Sequence, residues 1–404
     1  MQHATADIVI VGGGIMGASA ALHLVGSAAG ARVIVVEQDP SYRACATTRS
    51  AGGVRQQFST PECIAMSQAT IALLRSQQPT AMRVAYPAVA PGTTRDVGFR
   101  ECGYLLLASE AGAVVLADNV ARQRQMGADT QLLAPPALAQ RFPWLDTAGV
   151  AKGSFGASGE GWLDAATLLA DFKEKAQAGG ANFITSRVTA LERAGHRITA
   201  VRLCDGRRIA CGDVVNAAGA WAGAVAHMAG AELPVEPRKR FVFVIDCRDA
   251  PEALRSAPLT VDPSGVWFRP EGRQFICGVS PSHDADEPDP ADLDVIDHAL
   301  FEDRIWPVLA DRVPVFAAIK VTSAWASHYD YNTFDQNAVI GPHDEVTNLY
   351  FCNGFSGHGL QHAFAAGRAV AELIVHGRFV TLDLTRLGYG RIRRHQPLIE
   401  KNVI

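Results

Sequence analysis

Apolar positions along this chain follow two rhythms, short unbroken runs and longer stretches spaced like one face of a helix, with glycine at many of the changeovers. Asp7 to Val11 is an unbroken β-branched run, Ile8, Val9, Ile10 and Val11, with the length of a buried parallel strand. Gly12, Gly14 and Gly17 follow at once, then the small apolar body Ala18, Ala20, Ala21, Leu22 and Leu24, which predicts a helix ended by Gly30. Arg32 to Val36 is a second strand, closed by Glu37. Tyr42 to Phe58 shows neither period and is rich in Thr, Ser, Arg and Gly, which predicts a loop.

Helices are expected over Pro61 to Gln77, over Ala111 to Gly127 as an exposed helix, and over Leu168 to Ala178. Strands are expected at Val97 to Ala108, Gly161 to Leu163, Phe183 to Leu191, Ile198 to Leu203 and Arg208 to Ile209, with turns at Gly195 and Asp205-Gly206. Asp213 to Trp221 reads as a buried strand that stops on small residues. Leu233 to Ile245, Leu259 to Phe268, Gln274 to Val279 and Val315 to Trp325 are strand-like and separated by turns, as in an antiparallel sheet. A helix from about Leu293 to Leu309 falls among them. Asn348 to Cys352 is a last short strand, and a helix from Leu360 to His376 follows the turn Gly354 to Gln361.

The first of these stretches carries chemistry. In Gly12-x-Gly14-x-x-Gly17 the first glycine permits a tight turn, the second lets backbone approach a pyrophosphate, and the third lets the helix lie close on the sheet. The amides of Ile15 and Met16 then open the helix toward the anion. Glu37 stands about 20 residues past the last glycine, where an acid accepts hydrogen bonds from both ribose hydroxyls and disfavours a phosphorylated ribose. The loop after Glu37 is placed to run along the rest of the cofactor with Thr47, Thr48, Arg49, Ser50, Gly52 and Gly53. Ala218 and Gly219 end the third run, a second place for backbone to pass close to a cofactor. Gly357, His358, Gly359, Leu360 and Gln361 make another glycine-rich strand-to-helix turn. A nicotinamide enzyme does not need that last turn. A flavin enzyme does, because its ring lies far from the adenine and its pyrimidine edge faces donors and a positive helix end.

The length of 404 residues suits two domains, and a net charge of -4 with no basic stripe removes the footprint of a nucleic-acid binder. Eight cysteines without a C-x-x-C pair read as reduced, mostly buried thiols. The run Ser280 to Asp297 is acidic but interleaved with prolines and lacks the calcium-loop glycine, so it reads as a solvated loop and no metal is expected. Val214 to Ala231 is too weakly apolar to span a bilayer. The chain opens almost directly on its first strand, which points to the bacterial cytoplasm or to a mature form.

Three separated glycine turns, together with Tyr329 to Asn337, Gly341-Pro-His343 and an ending near Asn402, resemble the D-amino-acid oxidase superfamily from end to end. The resemblance is to its sarcosine oxidase and glycine oxidase branch, and most of all to the FAD-dependent oxidoreductase domain-containing proteins of mitochondrial complex I assembly and their bacterial relatives. It implies an α/β fold, with a Rossmann-like, glutathione-reductase-like FAD domain built from 1–85, 150–230 and 335–404. An α+β substrate domain with an antiparallel sheet, 86–149 and 231–334, is inserted in it. It implies that Glu37, with Gln38 beside it, holds the adenosine ribose, and that Val188 meets the adenine through its backbone. Thr48, Arg49 and Ser50 would hold the phosphates or the ring edge, Gly219 and Trp221 would lie by the ribityl chain, and Gly357 to Gln361 would face the pyrimidine. Noncovalent FAD is expected, since His328 or a neighbour stands where a flavin-linking cysteine would be.

The activity implied is oxidation of the carbon-nitrogen bond of a primary or secondary amino acid by hydride transfer to flavin N5, giving an imine that water hydrolyses. Arg55 is the chosen clamp for a substrate carboxylate, with Arg269, Arg238 and Arg240 in reserve. His358 and His328 are placed to tune the amine or close the pocket, and Trp267 and Phe268 to wall it. Sarcosine oxidases carry a lysine over the flavin that assists reaction with oxygen, on the strand matching Gln274 to Val279. The chain departs from them in having no lysine between Lys239 and Lys320, which disfavours O2 and favours another electron acceptor. The alternative is an FAD-containing assembly or interaction factor with little turnover. The sequence leaves the oligomeric state open.

Overall fold

The computed structural model describes residues 3–28, 30–76, 95–281, 286, 288, 289 and 292–401. Gln77, the junction at 85 and 86, much of the acidic run and Asn402 lie outside the described residues.

Four parallel strands make the centre of one eight-stranded sheet, in the order Leu349–Asn353, Arg208–Asn216, His3–Val11, Val33–Glu37, with Asn182–Thr185 beyond and Val339–Pro342 antiparallel at the other edge. Their register matters most. Val11 lies opposite both Asn216 and Val36, and Asn216 opposite Phe351, so four carboxyl ends come level at one rim of the sheet. The helix Ile15–Ser27 crosses from the first strand to the second, as a parallel pair requires. Its partner is the helix Gly359–His376, whose Gly367 approaches so closely that an added Cβ would lie 2.3 Å from Ser19 Oγ.

The second eight-stranded sheet runs Lys320–Asn332, Val235–Asp246, Gln274–Gly278, Trp267–Glu271, Leu259–Val261, Tyr104–Ala108, Lys152–Gly156, Thr130–Leu133. Its pairs are antiparallel except Leu259–Val261 with Tyr104–Ala108. Phe243, Phe268, Phe275 and Phe316 pack its far face. Lys152–Gly156 pairs with strands before residue 150, so the second sheet takes chain from both sides of that boundary.

Several elements differ from the expectation. Only Tyr104–Ala108 of the stretch from Val97 is strand, because Gly103 turns the chain at φ 87°. Leu259 to Phe268 is two strands joined by the turn at Asp262 and Gly265. Arg208 to Asn216 is one strand rather than two, and Phe183 to Leu191 is two rather than one. Pro314–Ala318 winds as a 3₁₀ turn, and the strand expected there starts at Lys320 and runs on to Asn332. The helix before it passes through a π turn, Phe301–Ile305, ahead of Pro307, which has no N–H to give the ladder. Helix Ala113–Gln125 buries Leu116, Asn119, Val120 and Gln123 rather than lying exposed. Thr130–Leu133 and Lys152–Gly156 carry no alternation that would announce them.

Candidate active site

A cavity of about 950 Å³ lies along the rim where the four strands end and under the second sheet. That is near the upper end of ligand sites. The first glycine turn forms one wall. Gly12, at φ 99°, sits so close to the neighbouring strand end that an added Cβ would lie 2.4 Å from Ala217 O, and one at Gly17 would lie 1.9 Å from Gly12 O. Gly14 instead faces the cavity, its nearest neighbour for an added Cβ being Cys45 Sγ at 3.3 Å. The helix it opens has no side-chain cap from Gly14 itself, and the Ile15 amide donates to Thr47 Oγ1 at 3.2 Å. The remaining first-turn amides point along the helix axis toward the cavity.

Glu37 lies at the same wall, its carboxylate accepting from Gly13 N–H at 2.7 Å and Asp39 N–H at 2.9 Å. Ile15, Met16, Gln38, Thr47, Arg49, Ser50, Gly53, Val188, Ala218, Gly219 and Trp221 all line the cavity. Gly17, Thr48 and Gly52 do not. Gly17 packs under the turn, the Thr48 hydroxyl turns back to Tyr42 O at 2.6 Å, and Gly52 lies against Leu163 O. Arg49 reaches the lining with its guanidinium held by Ala326 O at 2.7 Å and Arg43 O at 2.6 Å.

The far end is walled by Gly357, His358, Gly359, Leu360 and Gln361, the uncapped start of the helix Gly359–His376. Gly357, at φ 96°, lets the Tyr329 ring come within 2.2 Å of where a Cβ would be. Asp330 holds the same turn, accepting from Gly354 N–H at 2.8 Å and Phe355 N–H at 3.1 Å, and burial pushes its carboxyl up to about 6. Two helix starts without a cap from their own N-cap residue, with a carboxylate beside the first, fit a dinucleotide that carries a ring system.

Arg55 is buried and lines this end, its guanidinium 4.4 Å from the Phe58 ring centroid and 5.8 Å from that of Tyr104. Its amide donates to Gln361 Oε1 at 2.6 Å. Arg240 also lines the cavity, whereas Arg269 and Arg238 lie outside its lining, and each of these three arginines meets a carboxylate. Arg269 donates to Ala51 O at 2.7 and 3.0 Å and pairs with Glu271, Arg238 pairs with Glu236 at 2.8 Å, and Arg240 forks onto Asp286 at 2.5 and 2.8 Å. Asp286 belongs to the acidic run, so part of that run reaches inward rather than into solvent.

His328 and His358 both line the cavity. Burial, then the neighbouring His362 and Arg55, holds His358 well below the usual histidine range, and burial lowers His328 beside the Trp221 ring. Both are neutral imidazoles at neutral pH. Trp267 also lines the cavity, while Phe268, next along the strand, points into the core. Cys63, His358 and His362 offer ligand atoms within 4.8 Å of one another. The Arg55 cation bears on all three, burial favours the protonated Cys63 thiol and neutral imidazoles, and the thiol donates to Asn337 Oδ1 at 3.1 Å, while His358 Nε2 and His362 Nδ1 are buried with no hydrogen-bond partner among the described residues. Tyr104, Tyr329 and Asp330 are site residues the sequence pattern did not single out by role, though Tyr329 and Asp330 lie in the aromatic run that carried the resemblance. Among the described residues lining the cavity there is no lysine.

Among the described residues no helix is long and apolar enough to cross a membrane. Residues 7–373 match the family model described as FAD dependent oxidoreductase. The chain is 42% identical over 433 residues to FAD-dependent oxidoreductase domain-containing protein 1 of Xenopus laevis, covering 99% of this chain and 85% of that protein. The protein of the same name from Bos taurus is 43% identical, with 95% and 84% covered. Both relatives are animal proteins, which does not fit the bacterial source expected from the sequence. Among solved structures, L-proline dehydrogenase from P. horikoshii superposes with a TM-score of 0.82 at 25% identity, covering 98% of this chain and all of that one. The glycine cradle and the family match agree, and the chain belongs to the FAD dependent oxidoreductases of the D-amino-acid oxidase type.

Proposed function

We propose that the chain oxidises the carbon-nitrogen bond of a primary or secondary amino acid, with FAD held noncovalently along the cavity. Bound FAD supplies the hydride acceptor. Glu37 and Gln38 hold the adenosine ribose, Val188 borders the adenine, the turn at Gly12 to Met16 faces the pyrophosphate, and Gly357 to Gln361 faces the pyrimidine. The division into an FAD part and an inserted substrate part belongs to the same reading.

The observation that carries the proposal is Arg55, a buried guanidinium that lines the flavin end of the cavity over the Phe58 ring, beside the turn Gly357 to Gln361 whose Gln361 holds its amide. It clamps the substrate carboxylate and so points the amine-bearing carbon into the cavity. His328 and His358, being neutral, accept or donate one hydrogen bond without adding a charge that would repel an ammonium. A solved relative of similar fold is a dehydrogenase of proline, a secondary amino acid, which supports this substrate class.

The test is an anaerobic screen in which primary, N-methyl and N-carboxyalkyl amino acids are added to the yellow protein. Bleaching by at least one member is expected. A protein that holds FAD and stays yellow with every member would favour the assembly or interaction role instead.

A further inference from the structure

Glu160 is fully buried in the turn before the strand Gly161–Trp162 and lies outside the cavity lining. One carboxylate oxygen accepts from Gln56 N–H at 2.7 Å and the other from Gln57 Nε2 at 2.7 Å. Gln57 is itself fixed, donating to Tyr104 O at 3.0 Å and accepting from Ser154 Oγ at 2.5 Å, so only its N–H side can face Glu160. The carboxylate occupies the space a side chain would need at Gly156, where an added Cβ would lie 1.9 Å from Oε2. A built anion site therefore grips the two residues directly after Arg55, while Gln361 grips the Arg55 amide itself.

We propose that Glu160 is a positioning residue that sets Arg55 and couples its hold on a substrate carboxylate to the uptake of a proton. This rests on the reading that Arg55 binds that carboxylate. The charged and titratable groups bearing on Glu160 are Arg55, Asp129 and the Tyr104 phenol. Burial raises its carboxyl to about 7, against the pull of Gln57, Gln56 and Arg55. With Glu160 ionised, Arg55 already has a compensating charge nearby. An arriving carboxylate adds a second negative charge beside one cation, so Glu160 takes a proton from solvent. By reciprocity the ligand binds more tightly when Glu160 is already protonated. Affinity for carboxylates then falls as pH rises through about 7, by roughly tenfold for each unit that ligand binding shifts Glu160.

The experiment uses the FAD-loaded protein and benzoate, a carboxylate with no oxidisable amine, followed by the flavin spectrum and by calorimetry. Wild type is expected to lose several-fold in affinity between pH 6 and pH 8, and at pH 7 to take up a fraction of a proton, seen as a dependence of the binding heat on buffer ionisation enthalpy. In Glu160→Gln both should vanish while FAD content is retained. Should that variant not fold, the wild-type proton uptake decides alone, and its absence overturns the proposal. Unchanged pH dependence in Glu160→Gln overturns it as well, and would move the proton to another buried carboxyl such as Asp330. Benzoate that binds Arg55→Ala as well as wild type would instead remove the Arg55 reading on which this one stands.

Discussion

Arg55, the proposed carboxylate clamp, is held on several sides. Its guanidinium lies over Phe58, its amide is fixed by Gln361, and its neighbours are anchored by Glu160. On the proposed reading, Arg55→Ala removes a charge-assisted contact from a partly dry site, with a cost on the order of 2 to 5 kcal/mol in substrate binding. Substrate affinity should drop by one to several powers of ten, about one per 1.4 kcal/mol, and Arg55→Lys should restore only part because the planar fork is lost. The visible flavin spectrum should persist, and its loss would assign Arg55 to the cofactor. At this scale the sequence spoke through backbone. Gly12, Gly14 and Glu37 are legible because the turn demands their types at their spacing. Thr48 and Gly52 looked equally apt, but which hydroxyl of a polar loop turns outward depends on contacts such as Thr48 to Tyr42 O. Asp330 was hidden because its task, catching two amides of a distant turn, leaves no local pattern.

The two helices that open on the cavity carry buried histidines, and these make the fold sensitive to acid. Burial lowers His23 of the first helix and His362 of the second to about 3, with His358 also well below its ordinary value. A depressed histidine contributes stability that is full above the unfolded value near 6.5 and is lost as pH falls toward the folded value. Each costs roughly 1.4 kcal/mol per pH unit across that window. Glu160, raised to about 7, works the other way, stabilising below its unfolded value and losing that contribution as pH rises through about 7. Asp330, raised to about 6, acts in the same sense, and the three histidines outnumber these two carboxyls. The thermal midpoint should therefore fall steeply between pH 6.5 and pH 5, and His23→Leu, which packs against Phe364, should shallow that slope. An equal slope in the variant would show that His23 is not buried neutral. Element type was readable wherever apolar period was strong, as in the helix Gly359–His376. It failed at Thr130–Leu133 and Lys152–Gly156, whose pairing comes from the sheet they join and not from their own residues.

Across the whole molecule, the second sheet roofs the cavity without bringing a lysine to it, since Gln274–Gly278 and its neighbours supply none to the lining. With no ammonium there to stabilise a reduced-oxygen anion, reduced protein should react slowly with O2 and quickly with an artificial acceptor. Comparing both reoxidation rates on one preparation checks this, and rapid peroxide formation in air would refute it. The two-sheet plan was legible from the change in strand spacing, whereas the crossing of chain between sheets near Lys152 was not, because that strand is short and glycine-rich. The level rim of four strand ends has a last consequence, for the making of the protein. Val11 and Val36 reach that rim within the first 40 residues, but Asn216 follows much later and Phe351 and the helix after it later still, and Glu400 accepts from Ser59 N–H at 2.7 Å and Thr60 N–H at 3.0 Å. A chain still emerging from the ribosome thus holds its first glycine turn without a far wall until the segment from Phe351 to Gln361 has been synthesised. Such long-range closure makes folding slow, and the unfinished sheet edge is exposed meanwhile, which is where a chaperone or the flavin itself has the most to protect.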